Sequence, residues 1–240
     1  LTIYFLIILN KMSQKFTILF DLDGTIVNTA PDLMNAHNYV MKKYGYSERQ
    51  LSDIKRLAGR GSKVMLTKSM YEIAELSGKI KKTDDVIEEM TKEFIDYYSK
   101  NIAKESTLKL GLLNFLSWCK SKNISMAICT NKQEHLSIDL LKEIKIYKFF
   151  DFVAGGNTFL HNKPNPKHLT DVVEILNGNI KKTIMIGDSE TDSNAAKAAN
   201  IPFVLIKDGY TEKKTNEIYH DHLVNDFIGL EKIIEKYLND

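Results

Sequence analysis

Beyond about residue 106 the chain repeats one unit: a helical pattern, then a short apolar run that stops at a polar turn. Residues 112–122, 136–146, 166–176 and 193–199 carry apolar side chains at helical spacing. Between and after them, residues 124–129, 149–153, 183–186 and 202–206 are short and rich in Ile, Val and Phe, as strands covered on both faces must be. Residues 16–20 form a similar run near the start, and 230–238 supply a closing helix. Strands that alternate with helices of this length imply right-handed crossovers and a parallel sheet. The expected fold is therefore α/β, a doubly wound parallel sheet.

Between the first strand and residue 106 the pattern changes. Leu33, Ala36, Tyr39 and Val40, then Val64, Leu66, Met70, Ile73 and Ala74, then Val86, Ile87, Met90, Phe94, Tyr97 and Tyr98 recur at i, i+3, i+4, and no strand is evident. Gly45, Gly59, Gly61 and Gly78 punctuate these helices. The expected organisation is a core of residues 12–28 and 106–240, with a helical insertion over 29–105. That insertion is small for a free-standing core, so it is expected to lean on the α/β unit and to move relative to it. Residues 1–9 are an apolar run too short to span a bilayer. They lack a basic leader and a cleavage site, and Met12 follows closely. Residues 1–11 are expected to be an extension outside the working protein, with no stable membrane insertion.

Charge excludes one class of partner. The 33 Lys and Arg are interspersed with 31 Asp and Glu, for a net charge of +2, which gives no basic stripe for nucleic acid. Only Arg49, Arg56 and Arg60 offer guanidinium groups. Cys119 and Cys129 sit in apolar surroundings and read as buried, reduced thiols, which fits a cytoplasmic protein. No histidine spacing suits a metal, and His220 and His222 read as part of a polar loop. Trp118 reads as buried.

Chemistry is concentrated at the strand ends. Asp21 and Asp23 follow the first strand, Thr130 and Asn131 the second, and Asp188 and Asp192 the fourth, while Lys163 lies in a proline-flanked loop after the third. Open parallel sheets bind ligands at this edge. Carboxylates gathered there repel one another unless a cation sits among them, and oxygen ligands of this number suit Mg²⁺ sharing a substrate phosphate. A lysine and a hydroxyl beside them can hold phosphate oxygens. One aspartate can attack phosphorus and another, two residues on, can serve as acid and then base. Charge thus favours phosphoryl transfer over simple anion binding. Gly24 is expected to permit the turn after Asp23, with Thr25 stabilising it.

These residues carry a resemblance. The run 18–27 around Asp21-Leu22-Asp23-Gly24-Thr25 resembles the first motif of the haloacid dehalogenase superfamily of phosphatases. Residues 128–131 resemble the second, Lys163-Pro164-Asn165-Pro166 the third, and Gly187-Asp188-Ser189-Glu190-Thr191-Asp192 the fourth. Residues 29–33, Gly59-Arg60-Gly61, Phe94 with Tyr97 and Tyr98, and residues 155–158 are similar to the phosphoglycolate phosphatase group. Asn28 departs from that group's usual Asp, and Leu110-Gly111 from its Pro-Gly. The resemblance implies a Rossmann-like core with a cap that closes over the site. It also implies a Mg²⁺-dependent phosphatase acting on a small phosphorylated metabolite, 2-phosphoglycolate first, through an aspartyl-phosphate. Asp21 would be the nucleophile and Asp23 the acid and base. Thr130, Asn131 and Lys163 would hold the phosphoryl group. Asp21, Asp23 and Asp188 would bind the metal, and Asp192 would hold metal waters or orient Lys163. Arg60, Gly61 and Lys63 would meet the substrate from the cap.

A sugar-phosphate phosphatase, a pyrophosphatase or a phosphomutase would use the same machinery. A phosphate-sensing or scaffolding module is the non-enzyme alternative, and Asp23 argues against it because a pure binder needs no proton donor. A glycine-rich phosphate turn after the first strand, as a dinucleotide site requires, is absent from the sequence. A monomer or homodimer is expected.

Overall fold

In the computed structural model, which describes residues 15–77 and 84–239, the first strand lies in the middle of the sheet. Strand β1 (Thr17–Phe20) is flanked by β4 (Ser125–Cys129) and β6 (Thr183–Gly187), both parallel to it. The sheet continues through β5 (Phe152–Ala154) on one side and through β7 (Phe203–Ile206) and β8 (His222–Val224) on the other, giving the order β5-β4-β1-β6-β7-β8. The chain builds outward from β1 in one direction, returns, and builds outward in the other. A crevice opens where the direction reverses, at the carboxyl ends of β1, β4 and β6. Register fixes what meets there. Phe20 pairs with Ile128 and Ile186, so the next residues in line are Asp21, Cys129 and Gly187.

Alternation along the strands separates two apolar layers. Ile18, Phe20, Met126, Ile128, Ile184, Ile186, Val204 and Ile206 face one side. There they meet helix α5 (Leu112–Ser121), α6 (Glu134–Glu143) and α9 (Glu231–Asn239). Leu19, Ala127, Cys129, Met185, Phe203 and Leu205 face the other, against α7 (Lys167–Ile175) and α8 (Glu190–Ala198). Cys119 and Cys129 are buried free thiols, and burial pushes both thiols up, Cys129 to about 12.

The insertion contains α1 (Ala30–Lys43), α2 (Leu51–Leu57), α3 (Ser62–Ser77) and α4 (Asp84–Lys100). Their inner faces make a third apolar cluster, which includes Leu33, Met65, Phe94 and Tyr98 and is completed by Leu136 and Tyr210 of the α/β unit. The insertion thus leans on its neighbour through those two side chains. Its two ends are joined by an antiparallel ribbon, β2 (Val27–Asn28) with β3 (Thr107–Leu108). Two residues per strand are too few to leave a periodic signal, so this neck was invisible in the sequence. Asp32, buried in the first turn of α1, reinforces it by accepting from the Glu105 amide at 3.0 Å and the Ser106 hydroxyl at 2.5 Å.

Three expectations need correction. The third strand begins at Phe152, because residues 147–149 form a 3₁₀ turn that delivers Phe149 and Phe150 to the core. His222 is not in a loop: it opens edge strand β8, where its Nε2 lies 2.9 Å from the Tyr237 hydroxyl. Trp118 is only partly buried, stacked on Phe115 at the margin of the core. Residues 1–11 and Gly78 lie outside the described residues. Among the described residues, no helix is long and apolar enough to cross a membrane.

Because Asp32 ties the start of the insertion to its exit, Asp32→Ala should cost about 1–3 kcal/mol by removing the charged acceptor of two partly buried hydrogen bonds. Urea unfolding of the two proteins side by side measures it.

Candidate active site

The site is built around Lys163. Its ammonium is buried and lies 2.8 Å from Asp21 Oδ1 and 2.5 Å from Asp192 Oδ1. Asp21 comes from the end of β1, and its amide donates to Ile186 O across the sheet, which fixes it beside β6. Asp192 comes from the first turn of α8. Its other oxygen, Oδ2, accepts from the Ser189 hydroxyl at 2.7 Å and the Ser189 amide at 3.1 Å, with the Asp188 amide at 3.3 Å. One carboxylate therefore caps its own helix and locks the lysine.

Asp188 faces Asp21 across the crevice. It accepts from the Thr25 hydroxyl at 2.9 Å and the Tyr210 amide at 2.6 Å. Gly24, at φ +84°, makes this approach possible: a Cβ there would run into the Asp188 carboxylate and the Tyr210 ring. One carboxylate oxygen each from Asp21, Asp188 and Asp192 lie within 4.8 Å of one another. Burial pushes Asp21 up to about 6, against the opposing pull of Lys163 and with added repulsion from Asp192. Burial also raises Asp188 well above the carboxylate range, with Asp21 and Asp192 adding to the effect. Burial disfavours the Lys163 ammonium, but Asp192 and then Asp21 outweigh it and hold it charged. Three acids against one ammonium leave negative charge uncompensated. The donor set is all oxygen and buried, which fits a hard divalent cation.

A cavity of about 310 Å³ opens above these groups, between the α/β unit and the helical insertion. Asp21, Asp23, Thr130 and Asn131 line its floor, and Arg60, Gly61 and Lys63 its opposite wall. Leu33, Met65, Phe94 and Leu136 provide apolar surface between them. The residues expected from the sequence thus converge, with two differences in detail. Arg60 turns its guanidinium to Glu190 Oε1, at 3.1 Å, and Lys63 reaches Glu88 at 2.9 Å. The Asn131 side-chain NH₂ donates to Lys163 O at 2.9 Å and Gly59 O at 3.3 Å, joining the lysine loop to the insertion. Thr130 is not a helix cap, since α6 starts from Gln133.

Sequence reasoning missed Lys132. Its side chain is buried, with Nζ 3.1 Å from both oxygens of Asp23 and 3.0 Å from the Tyr98 hydroxyl. Its position directly after Thr130 and Asn131 was the available signal, but lysines are ordinarily solvated. Thr29 was missed as well: its hydroxyl donates to Asp23 Oδ1 at 2.6 Å. Tyr210 joins the two units by accepting from the Ala30 amide at 2.7 Å and donating to Asn28 Oδ1 at 2.8 Å. The asparagine that departs from the group's usual Asp is thus an acceptor here.

Comparison with known proteins agrees with this geometry. The family model for haloacid dehalogenase-like hydrolases matches residues 18–206. A protein of Mesorhizobium japonicum named phosphoglycolate phosphatase is 32% identical over 213 residues, covering 89% of this chain and 92% of its own. One of the same name from Agrobacterium fabrum is 31% identical over 223 residues, covering 91% and 94%. A crystal structure described as a predicted phosphoglycolate phosphatase from Haemophilus somnus superposes with a TM-score of 0.86 at 26% identity, covering 92% of this chain and 99% of its own.

Removing Asp192 takes one of two carboxylates from Lys163, which keeps Asp21, and leaves the Ser189 hydroxyl and the amides of Asp188 and Ser189 without their shared acceptor. Asp192→Ala should therefore destabilise the protein by about 1–3 kcal/mol, the cost of leaving buried donors unsatisfied. Chemical denaturation checks it.

Proposed function

The chain belongs to the haloacid dehalogenase-like hydrolases, and we propose that it is a Mg²⁺-dependent phosphomonoesterase whose substrate is 2-phosphoglycolate. The observation that carries this reading is the pairing of two aspartates on one cavity floor in unlike surroundings. Asp21 shares the Lys163 ammonium with Asp192 and sits among the clustered acids, whereas Asp23 stands apart with its own lysine and a threonine at the mouth of the neck. That division suits a nucleophile and a proton carrier. The relatives' names support the substrate, and so does the cationic wall opposite the floor.

In this mechanism an Asp21 oxygen attacks phosphorus as the ester P–O bond breaks, and the electron pair leaves with the alkoxide. Asp23 gives the alkoxide its proton. It then takes a proton from the water that attacks the aspartyl-phosphate, which releases phosphate and restores Asp21. Lys163 orients Asp21 and opposes the charge that builds on the transferring group. The Thr130 hydroxyl and the main-chain amide of Asn131 hold phosphoryl oxygens. Asp21, Asp188 and the Asp23 carbonyl would hold Mg²⁺, with Asp192 behind them fixing Lys163. When bound, the cation screens the repulsion between these acids and the substrate phosphate.

Residues 29–105 act as a cap on the catalytic part formed by 12–28 and 106–240, excluding water when closed. Arg60 exchanges Glu190 for the substrate carboxylate, which its planar fork matches. Gly61 lets the loop approach, and Lys63 adds positive charge at the rim.

Purified protein with Mg²⁺ should release phosphate from 2-phosphoglycolate faster than from hexose phosphates or pyrophosphate. Folded protein that releases none from any ester overturns the reading. Asp21→Asn should abolish turnover while leaving the circular dichroism spectrum unchanged.

The metal site makes a separate prediction about pH. A proton and a cation compete for Asp21, whose proton affinity in the metal-free protein is raised to about 6. Mg²⁺ should therefore raise the melting temperature clearly at pH 7.5 and much less at pH 5. Melting curves recorded with Mg²⁺ and with EDTA test this.

A further inference from the structure

Lys132 is the one buried lysine besides Lys163 among the described residues, and the mechanism above gives it no task. Its position is unusual. It stands on the loop after β4, yet its ammonium spans the seam between the two units. On one side are both oxygens of Asp23, and on the other is the hydroxyl of Tyr98, near the end of α4 in the cap. The ammonium also lies 4.3 Å from the centre of the Tyr98 ring, within cation–π range. Burial alone would disfavour the charge, but Asp23 and Tyr98 outweigh that and hold it. Tyr98 is itself fixed, lying parallel to Phe94 within the cap's apolar cluster.

We propose that Lys132 is a positioning residue: it aims the Asp23 carboxyl at the leaving-group oxygen, and Tyr98 makes that aim depend on the cap being closed. The inference rests on the phosphatase reading above. The geometry accommodates both halves of the reaction. With a proton on Asp23 Oδ2, Oδ1 still accepts from Thr29 and from Nζ, so the acid keeps its direction while presenting its proton. After transfer, the carboxylate accepts through both oxygens, as seen here. When the cap moves away, Tyr98 goes with it and Lys132 loses one of its two supports. Asp23 would then be aimed only when substrate is enclosed, which protects the aspartyl-phosphate from being formed at an open, wet site.

A positioning role differs measurably from a structural one, because it scales with the need for a proton donor. An alkoxide leaving from 2-phosphoglycolate needs one; 4-nitrophenolate, a far weaker base, hardly does. Both esters yield the same aspartyl-phosphate, so hydrolysis of that intermediate is common to them and cancels. Rapid-quench measurement of the phosphorylation step with Mg²⁺ isolates the effect. Lys132→Met should slow phosphorylation from 2-phosphoglycolate about 100-fold, the lower range for loss of general acid catalysis, and leave 4-nitrophenyl phosphate within about tenfold of wild type. Lys132→Arg, which keeps the charge, should restore most of the 2-phosphoglycolate rate.

Tyr98→Phe removes one hydrogen bond and should shift the same ratio in the same direction by about three- to tenfold. It decides the matter alone where Lys132→Met does not fold. Equal losses on both esters, or an unchanged ratio in Tyr98→Phe, overturn the proposal. Wild-type protein that forms no aspartyl-phosphate from either ester overturns the phosphatase reading instead.

Discussion

A lysine ammonium with almost no exposure, clamped between two aspartates, is the interaction on which this arrangement depends. Taking one positive and two negative charges out of water is expensive, and their attraction compensates only when every remaining lone pair is satisfied. Here the compensation is distributed over the fold. Asp192 hands its second oxygen to the start of its own helix, and Asp21 is tied through its amide to β6. Lys163 lends its carbonyl to Asn131. The charge cluster therefore cannot be displaced without disturbing two strand ends, a helix start and a loop. Beneath it, Phe20 contacts Phe115, Phe150 and Phe227 edge-on or tilted, which gives the polar groups a rigid apolar floor.

The cluster is left short of positive charge, and burial together with the neighbouring acids makes Asp21 and Asp188 hold their protons more tightly. In a structural ion-pair network such a deficit would be a defect. In the function proposed above it would prepare the crevice for a cation and for a dianionic substrate arriving with it. The second lysine, at 132, is kept apart from this deficit: it pairs with Asp23, not with Asp21 or Asp188. Two buried ammoniums thus divide the acids into separate groups, Asp21 and Asp192 with one and Asp23 with the other.

The parts that were legible in the sequence share a physical cause. One apolar run stopping at an acid is a weak signal, because a carboxylate there can simply cap a turn or a helix; several such ends in one parallel sheet make a strong one. Asp21 and Asp188 were readable on that ground and Thr130 from the polar turn that ends its strand, and the register of three parallel strands brings them to one level. Lys163 was readable from its prolines. Lys132, Thr29 and Tyr210 were not, since each matters only through a partner distant in the chain or across the neck. For Tyr210 and Asn28 the separation is 182 residues. Periodicity could not detect the two-residue ribbon at the neck. His222 misled because its polarity suggested a loop, whereas an edge strand tolerates a half-exposed imidazole with a tyrosine partner.

The cap's charges follow a different logic from the core's. Arg60 pairs with Glu190, and Arg56 and Lys68 both reach Glu212, so the cap meets the α/β unit through exposed or half-exposed ion pairs. Such contacts contribute little to stability and exchange readily with solvent and salt. The contacts that join the units beneath them are buried: Tyr210 to Ala30 and Asn28, and Lys132 to Tyr98. The seam is thus weak at its rim and specific at its centre, where Leu136 and Tyr210 also complete the insertion's apolar cluster. In the function proposed above, that combination lets Arg60 exchange Glu190 for a substrate carboxylate, because what it gives up is a half-exposed pair worth less than a bidentate contact inside an enclosed cavity.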